Sequence, residues 1–328
     1  MKILQRYLRA TFVTATAAIT ALACVAAAAQ TASTRPIRLV VPFGPGGVAD
    51  LTARVVAQKM TETTGQSIVV DNKPGAGGVV AADTVAKAAP DGLTLLLMSN
   101  ANAVTAGLFN KLPFDPVASF APVSMLGYFD MAVISSPKSR FKTLPALIAY
   151  AKANPGKVNI ATINTGSTQN LAAELFKRSL NIDVQIVPFN GSAAVITALQ
   201  GQQVDAGVEI LAPVLGQVAG NTLLALAVMG DKRSPSLPNV PTVAESGAPG
   251  FNVASWNAFA APAGTPTDVI ARLNKATNDA LNSPEVKARL AKLGVEGKGS
   301  TSREQGDFYV REIRRWSAVI QQAGIEKQ

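Results

Sequence analysis

The sequence predicts an α/β protein of two similar lobes, each a parallel-rich sheet flanked by helices. Three observations predict it. A unit of short β-branched run, Gly/Ser/Asn-rich turn and amphipathic segment recurs in both halves of the chain. Two proline-rich stretches without a clean period, 109–123 and 232–249, mark irregular excursions where the chain passes between lobes. The 328 residues suit about two domains, and 48% hydrophobic against 16% charged residues supply a sizeable core.

Taken in order, Ile37–Val41 (IRLVV) reads as a buried strand, followed by the turn PFGPGG and a helix from about Val48 to Thr63. That helix carries Leu51, Val55, Val56 and Met60 at helical spacing, and Gly65 ends it. A second strand, 67–70, leads through KPGAGG into a helix over 79–89, stopped by Pro90-Asp91-Gly92. Thr94–Met98 is a third strand, ending at Ser99 and Asn100. The rhythm returns with a strand over 158–163, the turn NTGST and a helix around 171–179. A strand over 184–187 leads through PFNGS into a helix over 193–200, and strands follow at 204–208 and 223–228. The C-terminus is helical: Ser302 with Gln305 matches a capping box, Tyr309, Ile313, Trp316 and Ile320 share one face, and Gly324 suits the end.

The first thirty residues stand apart. Lys2, Arg6 and Arg9 precede an Ala-rich apolar stretch that ends in the small residues Ala27–Ala29, the pattern of a secretory signal peptide over 1–29. A membrane anchor is the alternative for such a stretch, and Cys24 in Ala21-Leu22-Ala23-Cys24 is an imperfect lipidation site. Cleavage near Ala29 predicts an exported, periplasmic product without cysteine.

Composition removes whole reaction classes. There is no histidine, and Cys24 is the only cysteine, so Ser–His and Cys–His catalysis, His-ligated zinc and disulfide frameworks are excluded from the mature chain. No phosphate-loop or dinucleotide fingerprint occurs, so no cofactor or metal is expected. Three of the nine net positive charges lie in the first ten residues, leaving six. The remaining cations are dispersed, with Arg311, Arg314 and Arg315 the tightest group; that is a solvated helix face rather than a nucleic-acid site.

The βα turns carry the chemistry that remains. In open α/β sheets, ligands bind beyond the carboxyl ends of strands, where helix N-termini present free N–H groups to anions. Four turns have the composition for this: 42–47, 73–78, 164–168 and 188–192. Each also has a plain explanation, since tight turns need glycine for φ > 0. Asp50, in the first turn of its helix, is either a helix-start residue or part of the site. Asp205 and Glu209 fall on one face of a strand, and Glu209 at its carboxyl end selects against a ligand charge, pairs with one, or is simply a polar end. Trp256 lines a pocket or fills the core, and Trp316 on the apolar helix face is core.

At these turns the sequence resembles a known family. RPIRLVVPFGPGGVAD (35–50), VVDNKPGAGG (69–78), AAPDGLTLL (88–96), LPFDP (112–116), ANPGKVN (153–159), VPFNGSA (187–193), LALAVMGDKRSPSLPNVPTVAESG (224–247) and APAGTP (261–266) occur in the same order as in the Bug family, the extracytoplasmic solute-binding receptors of tripartite tricarboxylate transporters. The resemblance runs from about Arg35 to Ile325. It implies a two-lobed periplasmic binding protein of Venus-flytrap, type II-like form, with lobe I over 35–131 plus 250–328 and lobe II over 132–249. It also implies a carboxylate held between the lobes. The first loop would grip it through Phe43, Gly44, Pro45, Gly46 and Gly47, with Val48, Ala49 and Asp50 opening the helix. Ser99, the opposing Thr165, Gly166 and Ser167, then the loop of Asn190, Gly191 and Ser192, and finally Glu209 complete the implied site. Many members carry His where Asn170 stands, Lys or another polar residue at Asn190, and Asp at Glu209, so this chain departs from the family where the ligand's distal end would lie.

The function this implies is a receptor, not an enzyme, acting as a monomer that binds a small carboxylate and serves integral-membrane transporter components. A sensory protein signalling to a membrane partner shares fold and site and is the alternative. A periplasmic enzyme acting on carboxylates would need catalytic groups for which no motif stands out.

Overall fold

The computed structural model describes residues 35–165 and 167–327; the segment 1–29 expected to be a signal peptide, with Cys24, and Gly166 lie outside them. From Ile37 onward, helices flank one mixed sheet of ten strands. The first strands are β1 (Ile37–Val41), β2 (Ile68–Asn72) and β3 (Thr94–Ser99), with α1 (Val48–Thr64), α2 (Val79–Ala86) and α3 (Asn100–Leu108) following them in turn. β1 lies between β2 and β3, parallel to both, and its Leu39, Val40 and Val41 are wholly buried, as a two-sided strand requires. α1 ends on Gly65, whose φ of 71° gives the left-handed cap and whose N–H donates to the Thr61 carbonyl.

β4 (Phe120–Ser135) is the longest strand and joins the two halves. Its residues 120–130 pair antiparallel with β9 (Ala254–Pro262), which itself pairs antiparallel with β3. From Met131 its partners become β7 (Ala206–Ile210) and, on the other side, β8 (Leu224–Val228). β5 (Asn159–Ile163) lies between β7 and β6 (Gln185–Phe189), parallel to both. The helices of this half are α4 (Leu144–Ala153), α5 (Thr168–Ser179), α6 (Ser192–Gln200) and α7 (Leu211–Ala219). The chain closes with α8 (Thr267–Asn282), α9 (Pro284–Lys292), β10 (Val295–Gly297), which pairs with β4, and α10 (Ser302–Ala323).

This arrangement decides where a site can be. The three pairings β3–β9, β9–β4 and β4–β7 are all antiparallel. An odd number of reversals makes β5, β6 and β7 run opposite to β1, β2 and β3, so the carboxyl ends of the two parallel sets face each other. The register agrees: β3 ends at Ser99 opposite Asn257, which pairs with Gly127, while β7 ends at Ile210 opposite Met131.

The expected parallel pairs are present in β2–β1–β3 and β6–β5–β7, and the sheet as a whole is mixed because the connecting strands β4 and β9 contribute only antiparallel pairs. Three sequence expectations shift. The stretch 109–123 is irregular only to Ser119, and β4 absorbs Pro122 at a register shift between Pro122 and Ser124, where no ladder donor is required. The final helix is capped one residue earlier than Ser302: Thr301 and Glu304 form the box, with the Glu304 carboxylate accepting from the Thr301 N–H at 2.8 Å. The strand expected at 204–208 begins at Ala206, because Asp205 instead accepts from the Asn159 N–H and pairs with Arg140.

Gly127 sits where β9 and β10 both flank β4. A Cβ there would lie 2.5 Å from the Glu296 carbonyl oxygen and 2.9 Å from Val295 Cγ1. Gly216, exposed within α7, would meet nothing within 4 Å. Thermal denaturation should therefore separate the two: Gly127→Ala loses about 1–3 kcal/mol through overpacking, whereas Gly216→Ala gains about 0.5–1 kcal/mol of helix propensity.

Candidate functional site

Where the two sets of strand ends meet, a cavity of about 560 Å³ opens. Its wall is built from the N-termini of α1, α3, α5, α6 and α7 together with β4 and β9. The first loop contributes Phe43, Gly47, Val48 and Ala49. Gly47 is the N-cap of α1 and has no side chain to cap it, so the helix's first N–H groups stay unpaired in the cavity wall.

Asp50 lies behind that wall rather than in it, only 1% exposed. One carboxylate oxygen accepts from the Gly46 N–H at 2.9 Å and from Arg54 Nε at 2.9 Å; the other accepts from Asn72 Nδ2 at 2.8 Å. Asn72 Nδ2 also donates to the Phe43 carbonyl at 2.9 Å, and Arg54 Nη2 donates to Asn72 Oδ1. This trio pins both ends of the loop and holds Gly46 at its φ of 88°. Burial by itself would raise the Asp50 carboxyl, but the hydrogen bonds from Arg54, Asn72 and Gly46 outweigh it and lower it. Arg54 was legible in the sequence, four residues after Asp50 on one helix; Asn72 was not. Gly44, Pro45 and Gly46 are exposed and do not line the cavity.

Ser99 lines the wall as the N-cap of α3, its N–H donating to Asn102 Oδ1 at 2.9 Å. Across from it, Thr165 and Ser167 contribute, and Ser167 caps α5 by accepting from the Asn170 N–H. Asn190 and Gly191 are not in the wall. The next residue, Ser192, takes that place at the first turn of α6. Trp256 stays in the core against Phe308 and Tyr309, and Trp316 is fully buried.

Glu209 also lies behind the wall, with no exposed surface. Its Oε2 accepts from the Ser192 hydroxyl at 3.0 Å, from Gln169 Nε2 at 3.3 Å and from the Ile210 N–H at 3.3 Å. Oε1 has no protein partner among the described residues. Burial pushes this carboxyl up, against those three donors. Four polar wall residues were missed by sequence reasoning: Thr105, Gln169, Ser255, and Asn257 on β9, which is buried with neither amide atom partnered. Thr105, Asn164, Thr168 and Ser255 add further polar groups, and the remaining wall is apolar, with Val104, Leu108 and Phe109 on one side, Ile163, Ile210 and Pro213 on the other, and Phe129 between. No charged side chain lines the cavity among the described residues.

Fold and cavity together define a two-lobed binding protein of the periplasmic class. The chain matches the tripartite tricarboxylate transporter family receptor over residues 52–325, and it belongs to that family. It is similar to protein BugT of Bordetella pertussis, 38% identical over 300 residues, covering 91% of this chain and 92% of that one. Among solved structures it is similar to the periplasmic binding protein BugD (32% identity, TM-score 0.76, covering 90% and 99% of the two chains). It is likewise similar to R. palustris Rpa4515 with adipate (32% identity, TM-score 0.80, covering 90% and 100%). The family consists of substrate-binding receptors, not enzymes. No helix among the described residues is long and apolar enough to cross a membrane.

Asp50→Ala removes the charge-assisted bonds from the Gly46 N–H, Asn72 and Arg54 that hold the loop, while Asn72 keeps its bond to the Phe43 carbonyl and half-exposed Arg54 regains water. The expected loss is about 2–3 kcal/mol, read as a Tm lower by several degrees. Glu209 has the opposite linkage to Asp50. With its carboxyl raised, its contribution is fullest below its ordinary value of 4.5 and is lost as pH rises through the folded value. Asp50 contributes above its ordinary 3.8 and loses that as pH falls through its lowered value. Stability profiles against pH should therefore show Glu209→Gln removing a decline on the rising side and Asp50→Asn removing one on the acid side.

Proposed function

We propose that this chain is exported, cut near Ala29, and acts in the periplasm as a receptor that holds a small organic carboxylate between lobe I (35–131 plus 250–328) and lobe II (132–249). It then delivers the loaded form to membrane components of a tripartite-type transporter. The observation that carries this reading is the uncapped N-terminus of α1 in the wall of a cavity without a cationic side chain. An anion there gains unpaired N–H donors and a favourable helix dipole, so a carboxylate needs no lysine or arginine. Phe43, Gly47, Val48, Ala49, Ser99, Thr165 and Ser167 are the proposed contacts, and Asp50 is the group that holds the first loop in shape. The bound adipate of Rpa4515 supports the same ligand chemistry. The change of partners along β4 at Met131 supports the first lobe boundary, and the start of β9 at Ala254 supports the second.

The test is a thermal-shift screen of mature protein, unfolded and refolded to strip carried ligand, against mono-, di- and tricarboxylates, acidic amino acids and aromatic acids. A ligand at 100 times its Kd adds about 2.7 kcal/mol, a shift of several degrees. A selective shift with the ligand recovered unchanged is the expected result, and Asp50→Ala should weaken that ligand at least tenfold. A folded protein that responds to no carboxylate would overturn the reading.

A further inference from the structure

Resting on that reading, we infer that Glu209 closes the lobe II end of the cavity to a second carboxylate, so that the receptor takes a monocarboxylate with an uncharged, mainly apolar body. α6 and α7 both begin at the cavity without a side-chain cap, the same arrangement that suits α1 to an anion. Here, however, a resident carboxylate already stands behind the wall. The Ser192 hydroxyl has one proton and gives it to Glu209 Oε2, so toward the cavity Ser192 offers only acceptor lone pairs. One of the two Gln169 amide protons and the Ile210 N–H are committed to the same oxygen. These commitments hold whether or not Oε1 carries a proton, because all three donors converge on Oε2.

A second ligand carboxylate at this end would have the first N–H groups of α6 and α7 and the polar groups of Asn164, Thr165 and Thr168 as donors, but it would meet the Ser192 lone pairs and stand against the buried Glu209 carboxyl. Among the described residues no lysine or arginine in the wall offsets them, and the chain has no histidine. Buried anions without paired donors or cations are costly. What the wall offers a ligand body instead is Leu108, Phe109, Phe129, Ile163 and Pro213, with the neutral amide of Asn257 as a polar contact that suits a hydroxyl or carboxamide. Glu209 is thus a positioning residue for specificity: it acts through Ser192 and Gln169 and does not touch the ligand.

The test uses matched pairs, hexanoate against adipate and benzoate against terephthalate, titrated calorimetrically at pH 7 into stripped wild-type protein and Glu209→Gln. The wild type should bind at least one monocarboxylate ten times or more tighter than its dicarboxylate partner. In Glu209→Gln, which no longer fixes the donors on an acidic group, that ratio should shrink at least tenfold; a merely structural role would weaken both members equally. Adipate or terephthalate binding as tightly as its partner to the wild type would overturn the inference and leave the carboxylate receptor standing. Binding of no member of either pair, or of any other carboxylate in the screen, would overturn both. The wild-type ratio decides by itself if the variant does not fold.

Discussion

The one constraint on which everything else depends is that both halves are built on the same strand. β4 is 16 residues long, a span of about 50 Å at the usual rise. Its first eleven residues belong to the ladder with β9 and the rest to the ladders with β7 and β8. Had β4 paired parallel with β7, the carboxyl ends of β5, β6 and β7 would have pointed away from those of β1 and β3. The antiparallel pairing turns them inward, and with them the helix N-termini that follow. The cavity is therefore a consequence of strand direction before any side chain is considered. Residues of β9 close its floor, because the return strand must lie between β3 and β4.

Within that frame, the two carboxyl groups behind the cavity wall are placed alike and behave oppositely. Asp50 has a guanidinium beside it and its hydrogen bonds are divided over both oxygens, so the ionised form is favoured despite burial. Glu209 has three neutral donors on one oxygen, none on the other, and no cation, so burial dominates. The difference follows from where the spare donors come from. Around Asp50 they are the Gly46 N–H, Asn72 and Arg54, which leaves the first N–H groups of α1 uncommitted. Around Glu209 they are the wall side chains Ser192 and Gln169 and the Ile210 N–H, and their commitment changes the character of that end. A carboxylate that serves the backbone leaves a site receptive to anions; one that serves the wall uses up side-chain donors an anion would need.

This distinction also explains what the sequence made legible. β1, its glycine turn and α1 were readable because each is specified within about 25 residues: a β-branched run, a Pro-Gly-Gly turn, then apolar residues at helical spacing ending at Gly65. β4 was not, since Pro122 interrupts its pattern and only a register shift against β9 accommodates it. The capping box was displaced by one because Thr301–Glu304 and Ser302–Gln305 both fit the spacing, and Glu304 supplies the carboxylate that reaches back. Strand parity marked Glu209 as a residue at the site's edge, but its partners lie 40 and 17 positions away. Asn72 and Asn257 carried no local signal at all. Their roles come from the register of neighbouring strands, which sequence spacing does not encode.

The C-terminal helix shows how a distant segment reaches the cavity. Glu312, buried on α10, accepts from the indole N–H groups of both Trp256 and Trp316, at 3.3 and 3.0 Å. The Trp316 N–H is shared with Asn100 Oδ1 at 2.7 Å. With its oxygen thus engaged, the Asn100 amide presents its nitrogen to Thr168 Oγ1 at 3.2 Å, a hydrogen bond from the start of α3 in one half to the start of α5 in the other. A neutral bond of this kind contributes about 1 kcal/mol net. That is a small term beside the continuous strand β4 and the apolar cluster that includes buried residues of both halves, such as Val40, Leu96, Leu171 and Phe176.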